Sequence, residues 1–248
     1  MLPSALIVGS LILFGLSVIP RPIAKNPPEI RGAILLLWWI NRFYTKFWHR
    51  VEVENEPPFP ATGPAILISN HTCGIDHLLL QSGSNRLLGF MIAREFYDHW
   101  FYHPFCKAIG CIPAKRDGRD QAALRLSLRA LEEGHVIGIF PEGRINPHSG
   151  ADFLDAKPGT GFLALKANVP VIPAYIRGTP PTNNILKAMI TPSHVHVVFG
   201  DVIDLSDLAD AADHDAGRAN LVTATDRLMA GIRVLRDRSM PGSDAKST

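Results

Sequence analysis

Four short runs of this chain are apolar at almost every position: "AILIS" (65–69), "LLGFMIA" (87–93), "HVIGIF" (135–140) and "VPVIPAYI" (169–176). A strand with one face in water alternates apolar and polar residues. Runs like these belong in a sheet that is covered on both faces, and such sheets are largely parallel. The segments between them supply the covering helices. Residues 75–81 read as a helix, and 95–108 as a helix running on through Pro104. Residues 120–133 carry Leu124, Leu128 and Leu131 at i, i+4 and i+7 and stop at Gly134. Residues 161–167 are helical, and 217–237 form an amphipathic helix with Leu221, Leu228, Met229, Ile232 and Leu235 on one face. "GCIPAKR" (110–116) and "HVHVVFG" (194–200) add strands. The expected fold is α/β: a mixed, largely parallel sheet flanked by helices, occupying residues 51–239, with a mobile tail at 240–248.

In such folds ligands bind beyond the carboxyl ends of the strands. Polar residues gather at those exits. His71 comes two residues after "AILIS", Arg116 just after "GCIPA", and Glu142, Gly143 and Arg144 just after "HVIGIF". One shared cleft accounts for all of them. The stretch "ILISNHTCGIDHLLL" places His71 five residues before Asp76. On a continuous helix such a pair lies about 140° apart and does not meet. With His71 in the strand-to-helix turn and Asp76 in the first helical turn, it does. Ten histidines make a chance pair conceivable, and a histidine after a strand can simply bond a backbone carbonyl. A metal reading lacks ligands: His77 sits against Leu78–Leu80, and the cysteines and histidines do not have zinc-finger spacing. No metal and no bound cofactor is expected at this pair.

Other classes fall away. A net charge of +2 implies no nucleic-acid partner. No G-x-S-x-G elbow and no phosphate-binding P-loop occurs. "GTGFLA" (159–164) mimics a dinucleotide loop, but "DFLDAKP" precedes it rather than a buried strand. Three cysteines fit reduced thiols better than a disulfide framework.

Residues 1–50 read as two membrane-associated helices. Residues 2–19, "LPSALIVGSLILFGLSVI", carry no charge and would span roughly 27 Å as a helix, close to the ~30 Å hydrocarbon core. No basic residue precedes the run and no clear A-x-A site follows it, so a retained segment is expected rather than a signal peptide. After a Pro-rich connector, "GAILLLWWINRFYTKFWHR" (32–50) places Asn41, Arg42, Thr45, Lys46, His49 and Arg50 on one helical arc, with Phe43, Tyr44, Phe47 and Trp48 on the other. That is the pattern of a helix lying in a membrane interface; packing of the aromatic arc on the protein is the alternative. The basic connector and reduced-type cysteines place the remaining domain on the cytoplasmic side of the cell membrane.

Taken in order, "NHTCGID", "GCIPAKR", "FPEGR" and "VPVIPAYI" resemble the glycerolipid acyltransferase family, the lysophosphatidate acyltransferases in particular, over about residues 60 to 200. Departures lie around the pair rather than in it. "TCGI" separates His71 from Asp76 where the family often has an aromatic or Leu. Arg144 follows Gly143 directly where the family often has Thr between them, and Ala114 and Lys115 precede Arg116 where it often has an acid. The resemblance implies a membrane-bound enzyme that moves a fatty acyl chain to a lysophospholipid hydroxyl, most directly from 1-acyl-glycerol-3-phosphate to phosphatidate. The donor would be a thioester of coenzyme A or acyl carrier protein. It implies His71 as general base oriented by Asp76, and Arg116, Glu142, Gly143 and Arg144 as acceptor-binding residues. Another lysolipid acceptor, or a catalytically silent membrane-bound lipid-binding protein, is the alternative.

Overall fold

The computed structural model describes residues 30–115, 120–146, 148, 152–208 and 214–239, the last stretch by backbone alone at 214–216. The uncharged stretch 2–19, Arg116 and the tail from 240 lie outside the described residues.

The described chain begins with α1 (Ala33–Trp48) and continues β1 (Glu52–Glu54), β2 (Ala65–Ser69), α2 (Asp76–Ser82), β3 (Leu88–Ala93), α3 (Arg94–Tyr97), α4 (His103–Ala108) and β4 (Ile112–Ala114). There follow α5 (Gln121–Glu132), β5 (Val136–Ile139), α6 (Pro158–Ala167), β6 (Val171–Arg177), α7 (Ile185–Ile190), β7 (His196–Phe199), a 3-10 turn at Ser206–Leu208 and α8 (His214–Ser239). The seven strands form one sheet in the order β1-β7-β6-β2-β5-β3-β4. Its single antiparallel joint is β6 with β7; every other pair is parallel.

β2 lies at the centre, and its five residues are all buried. Its side chains alternate between two cores, as the pleat requires. Ala65 and Leu67 join Leu79 and Leu80 of α2, Ala188 of α7, and Ile172 and Ile176 of β6. Ile66 and Ile68 join Ala123 and Leu131 of α5, Leu163 and Ala164 of α6, and Leu228, Met229, Ile232 and Leu235 of α8. Complete burial of Ile66, Leu67 and Ile68 contributes about 1.5–3 kcal/mol each. The run accordingly carries no polar residue before Ser69.

Local signals set the helix ends. The Asp120 carboxylate accepts from the amides of Ala122 and Ala123, both at 3.0 Å, and starts α5. Residues 95–108 are two short helices rather than one. Pro104 has no N–H and would break the interior of a continuous helix; it sits in the first turn of α4, where no bond is required. The turn this creates leaves Trp100 80% exposed. β1 and α7 had no readable signal. β1 is "EVE" with all three residues exposed, and α7 is only six residues long, capped by the Asn184 side chain on the Lys187 amide at 3.0 Å.

α1 is held by its polar groups. Asn41 Nδ2 donates to the Leu78 carbonyl at 2.9 Å, and Tyr44 Oη to that of Met189 at 2.7 Å. His49 is fully buried, with Tyr44 Oη 2.8 Å from Nε2 and Ser193 Oγ 2.7 Å from Nδ1. The polar arc expected to stay together is thus split: Thr45 and His49 are buried on the protein side, while Lys46 and Arg50 remain exposed. Leu36, Ile40, Phe43 and Phe47 form an exposed stripe at helical spacing. Among the described residues no helix is long and apolar enough to cross a membrane.

Candidate active site

The residue after β2 fixes how the chain leaves the sheet. Asn70 is fully buried; its Nδ2 donates to the Ile176 carbonyl at 2.9 Å, and its Oδ1 accepts the Ile176 amide at 2.8 Å. The side chain takes over the ladder with β6, which frees the backbone to turn. Residues 71–75 then cross to the start of α2, whose first residue is Asp76.

Five donors converge on the Asp76 carboxylate, which is 0% exposed. His71 Nδ1 lies 2.8 Å from Oδ2. Oδ2 also accepts the amides of Thr72 and, at 3.0 Å, Cys73. Oδ1 accepts Thr72 Oγ1 at 2.8 Å and Cys73 Sγ at 3.2 Å. Thr179 in turn donates to Thr72 Oγ1 at 2.9 Å. A carboxylate oxygen that accepts needs a donor, so Nδ1 carries the hydrogen of this bond, and in the neutral ring Nε2 presents a lone pair. The His71 side chain is 17% exposed, and Nε2 has no hydrogen-bond partner among the described residues.

The loop after β5 clamps His71 from the other side. The His71 amide donates to Glu142 Oε1 at 3.2 Å, and its carbonyl accepts the Asn146 amide at 2.8 Å. Glu142 is buried, and its Oε2 also accepts from Leu154 N at 2.9 Å and Asn146 Nδ2 at 3.4 Å. The ring of Phe140 stacks on the imidazole, centroids 4.0 Å apart and planes 10° apart. Phe90 backs Phe140 at 5.6 Å. Gly138 makes room for this layer: a Cβ there would lie 2.2 Å from Phe90 Cε1.

Beside the Asp76 carboxylate, two further titratable neighbours, His77 and Cys73, stay neutral. Burial pushes His77 down to about 4, so it is neutral near pH 7. Burial first, and the Asp76 charge second, push the Cys73 thiol far above its ordinary value and keep it a protonated donor.

His71, Asp76 and Glu142 therefore share one hydrogen-bonded cluster. Gly143 adopts φ +67°, which favours glycine, and a Cβ there would meet the Lys157 stem at 3.0 Å. Arg144 is exposed and has no side-chain partner among the described residues. Arg116 falls outside the described residues. Sequence reasoning missed Thr72, Phe140, Asn146 and Thr179. The first two lie inside or beside the quoted blocks, but their roles depend on contacts that no spacing along the chain reveals.

A family model described as Acyltransferase matches residues 50–177, more than half of the chain. It runs from before β1 to the end of β6. A 1-acyl-sn-glycerol-3-phosphate acyltransferase of Bacillus subtilis (strain 168) is 22% identical over 189 residues, covering 76% of this chain and 89% of that protein. The protein of the same name from Streptococcus pneumoniae is 24% identical over 186 residues, 74% of this chain and 65% of its own length. The crystal structure of the 1-acyl-sn-glycerophosphate (LPA) acyltransferase PlsC from Thermotoga maritima aligns over 98% of this chain and 90% of that one, with a TM-score of 0.62 at 21% identity. That last likeness is one of fold. The family match spans the strands that carry the His71–Asp76 cluster and the loop that clamps it, and the chain belongs to the acyltransferase family.

Proposed function

We propose that this protein transfers a fatty acyl chain from a coenzyme A or acyl carrier protein thioester to the free hydroxyl of a lysophospholipid, most directly 1-acyl-glycerol-3-phosphate to give phosphatidate. The observation that carries the reading is the 2.8 Å bond from His71 Nδ1 to a buried, five-fold bonded Asp76, which leaves Nε2 as the one basic atom of the pair. The alcohol is a poor nucleophile until a base takes its proton. His71 Nε2 accepts that proton as the oxygen attacks the thioester carbonyl. Asp76 holds the tautomer and stabilises the imidazolium as it forms, and the face of Phe140 adds a favourable cation–π contact. The C–S bond then breaks, and the imidazolium proton goes to the leaving thiolate. The hydroxyl belongs to the substrate, so no acyl-enzyme is required. The protonated Cys73 is a donor to Asp76, not a nucleophile.

The acceptor phosphate falls to Arg144 and Arg116, since guanidinium forms bidentate bonds to phosphate. Gly143 allows the loop to turn between them and the imidazole. Glu142 belongs to the same loop, but its carboxylate is taken up by His71 N, Asn146 and Leu154 N; its part in acceptor binding is to hold the His71 turn. The two relatives named as 1-acyl-sn-glycerol-3-phosphate acyltransferases support a glycerophosphate acceptor. A membrane-bound site fits the substrate, because drawing a long acyl chain into water costs ~0.8 kcal/mol per CH₂. Residues 2–19 serve as the anchor, with the domain on the cytoplasmic side. The α1 stripe lies on the lipid surface, extended by Leu186 and Ile190 of α7, which are 68% and 71% exposed.

The test presents purified protein with a vesicle-borne panel of lysolipids and both donor types, with products identified by mass spectrometry. Phosphatidate is the expected main product. Arg144→Ala should weaken use of the phosphorylated acceptor roughly ten- to a hundred-fold, the worth of a lost charge-assisted bond, while the donor's apparent affinity changes less. A preferred acceptor without phosphate, or equal loss for both substrates, contradicts the assignment.

A further inference from the structure

A second group of chemistry-bearing side chains lies at the same end of the sheet as His71, two strands away. β7 runs antiparallel to β6, so its first residue, His196, pairs with Arg177, the last of β6. β1 runs parallel to β7 and sets Glu52 opposite His196. His194 and His196 are two apart on an extended segment and point to one side, while Val195 between them is fully buried. Their rings lie 4.9 Å apart. The Glu52 carboxylate reaches both: Oε1 is 2.8 Å from His194 Nε2, and Oε2 is 3.2 Å from His196 Nδ1. One ligand atom from each of the three residues lies within 4.8 Å of the others.

We propose that Glu52, His194 and His196 form a binding site for a divalent transition metal of the zinc class. Bonds of about 2.0–2.2 Å in a tetrahedron place ligand atoms roughly 3.3–3.6 Å apart. The Glu52 oxygens lie 2.8 and 3.2 Å from the two imidazoles, and one ligand atom from each residue falls within 4.8 Å of the others, so side-chain rotations that move these atoms by about an ångström suffice. Two imidazoles with one carboxylate are the donor set of zinc chemistry; magnesium and calcium prefer oxygen alone. Glu52 and His194 are exposed, which leaves the remaining coordination position to water. Lys46 acts on Glu52 and Arg177 on His196 as like charges to the metal, and Glu54 offsets them in part. At the surface these charges are screened, so they weaken binding rather than forbid it; a dissociation constant on the order of 1–10 µM is expected.

The site would join two segments that both lead to the apolar surface. Glu52 follows α1 across the junction at 49–51, and His194 ends the connection from α7. The Val195 amide already bonds the His49 carbonyl there at 3.1 Å. A metal would therefore staple the mount of α1 to the mount of α7, whatever reaction the His71 site performs.

The test uses the tag-free, metal-stripped full chain, titrated with Zn²⁺ by isothermal calorimetry and followed by thermal unfolding. One Zn²⁺ per chain and a raised unfolding temperature are expected, with no such rise from Mg²⁺ at the same concentration. His194→Ala with His196→Ala should abolish both effects, and Glu52→Gln should weaken binding at least ten-fold, with the metal-free unfolding temperature unchanged. Cys106→Ser with Cys111→Ser should bind as the wild type does. A folded wild type that takes up no Zn²⁺ at 100-fold the expected constant would overturn the proposal. So would binding that survives the double histidine substitution or vanishes with the cysteines.

Discussion

At Asp76 five donors meet two oxygens, and only an acceptor on both sides satisfies them. His77 follows in sequence and behaves in the opposite way. It lies edge-on to Phe90, and burial holds it neutral down to about 4. In the unfolded chain the same imidazole titrates near 6.5. Between those two pH values the unfolded state binds more protons, so stability falls as pH drops from about 6.5 toward about 4. At about 1.4 kcal/mol per pH unit, the loss from His77 is on the order of 3–4 kcal/mol at most. His49, lowered by burial as well, adds to it in the same direction. His77→Leu should keep the ring layer filled and flatten this dependence. Urea unfolding midpoints of both proteins at pH 7 and pH 4.5 check it, and an acid loss in the variant equal to the wild type's contradicts it.

Among the elements, α1 shows what a helical pattern does and does not reveal. Its existence and most of its aromatic arc are legible: Phe43, Phe47 and Trp48 are exposed together, while Tyr44, read on the same arc, turns its hydroxyl to His49 and Met189. Which arc meets the protein is not legible, because it depends on backbone acceptors supplied elsewhere: the Leu78 carbonyl for Asn41 and the Met189 carbonyl for Tyr44. With those bonds made, Phe43 stays 62% exposed, its ring 4.4 Å from that of Phe47. Exposed aromatics beside Lys46 and Arg50 suit a lipid interface with anionic headgroups. Phe43→Glu with Phe47→Glu should leave folding intact and reduce co-sedimentation with anionic vesicles. It should also lower activity on vesicle-borne lysolipid far more than activity on short-chain soluble analogues. Wild-type sedimentation and vesicle activity in that variant would remove the interfacial role. The α3–α4 break was likewise masked by a continuous helical pattern; the rigid ring of Pro104 outweighs it.

For the molecule as a whole, the buried runs announce the parallel centre of the sheet, while its β1 edge is silent because "EVE" carries no hydrophobic signal. The His71–Asp76 pair is legible, since five residues of separation and a strand exit leave one geometry in which it meets. Glu142 is legible as part of a motif, but its bond to the His71 amide spans 71 positions and exists only once β2 and β5 pair. The same pairing brings Phe140 onto the imidazole. The fold thus sets an imidazole, a buried carboxylate bonded to it and a ring face at one strand exit, and the proposed function requires that imidazole to take the acceptor's proton. The most direct measurement is the initial rate of acyl transfer to the acceptor preferred in the lysolipid panel, for wild type, His71→Ala and Asp76→Asn, with unfolding temperature and vesicle binding measured alongside. A fall of about 10²-fold or more is expected for His71→Ala and a clear loss for Asp76→Asn, in proteins whose folding and vesicle binding match the wild type. A folded His71→Ala protein that turns over at the wild-type rate would contradict the proposed function.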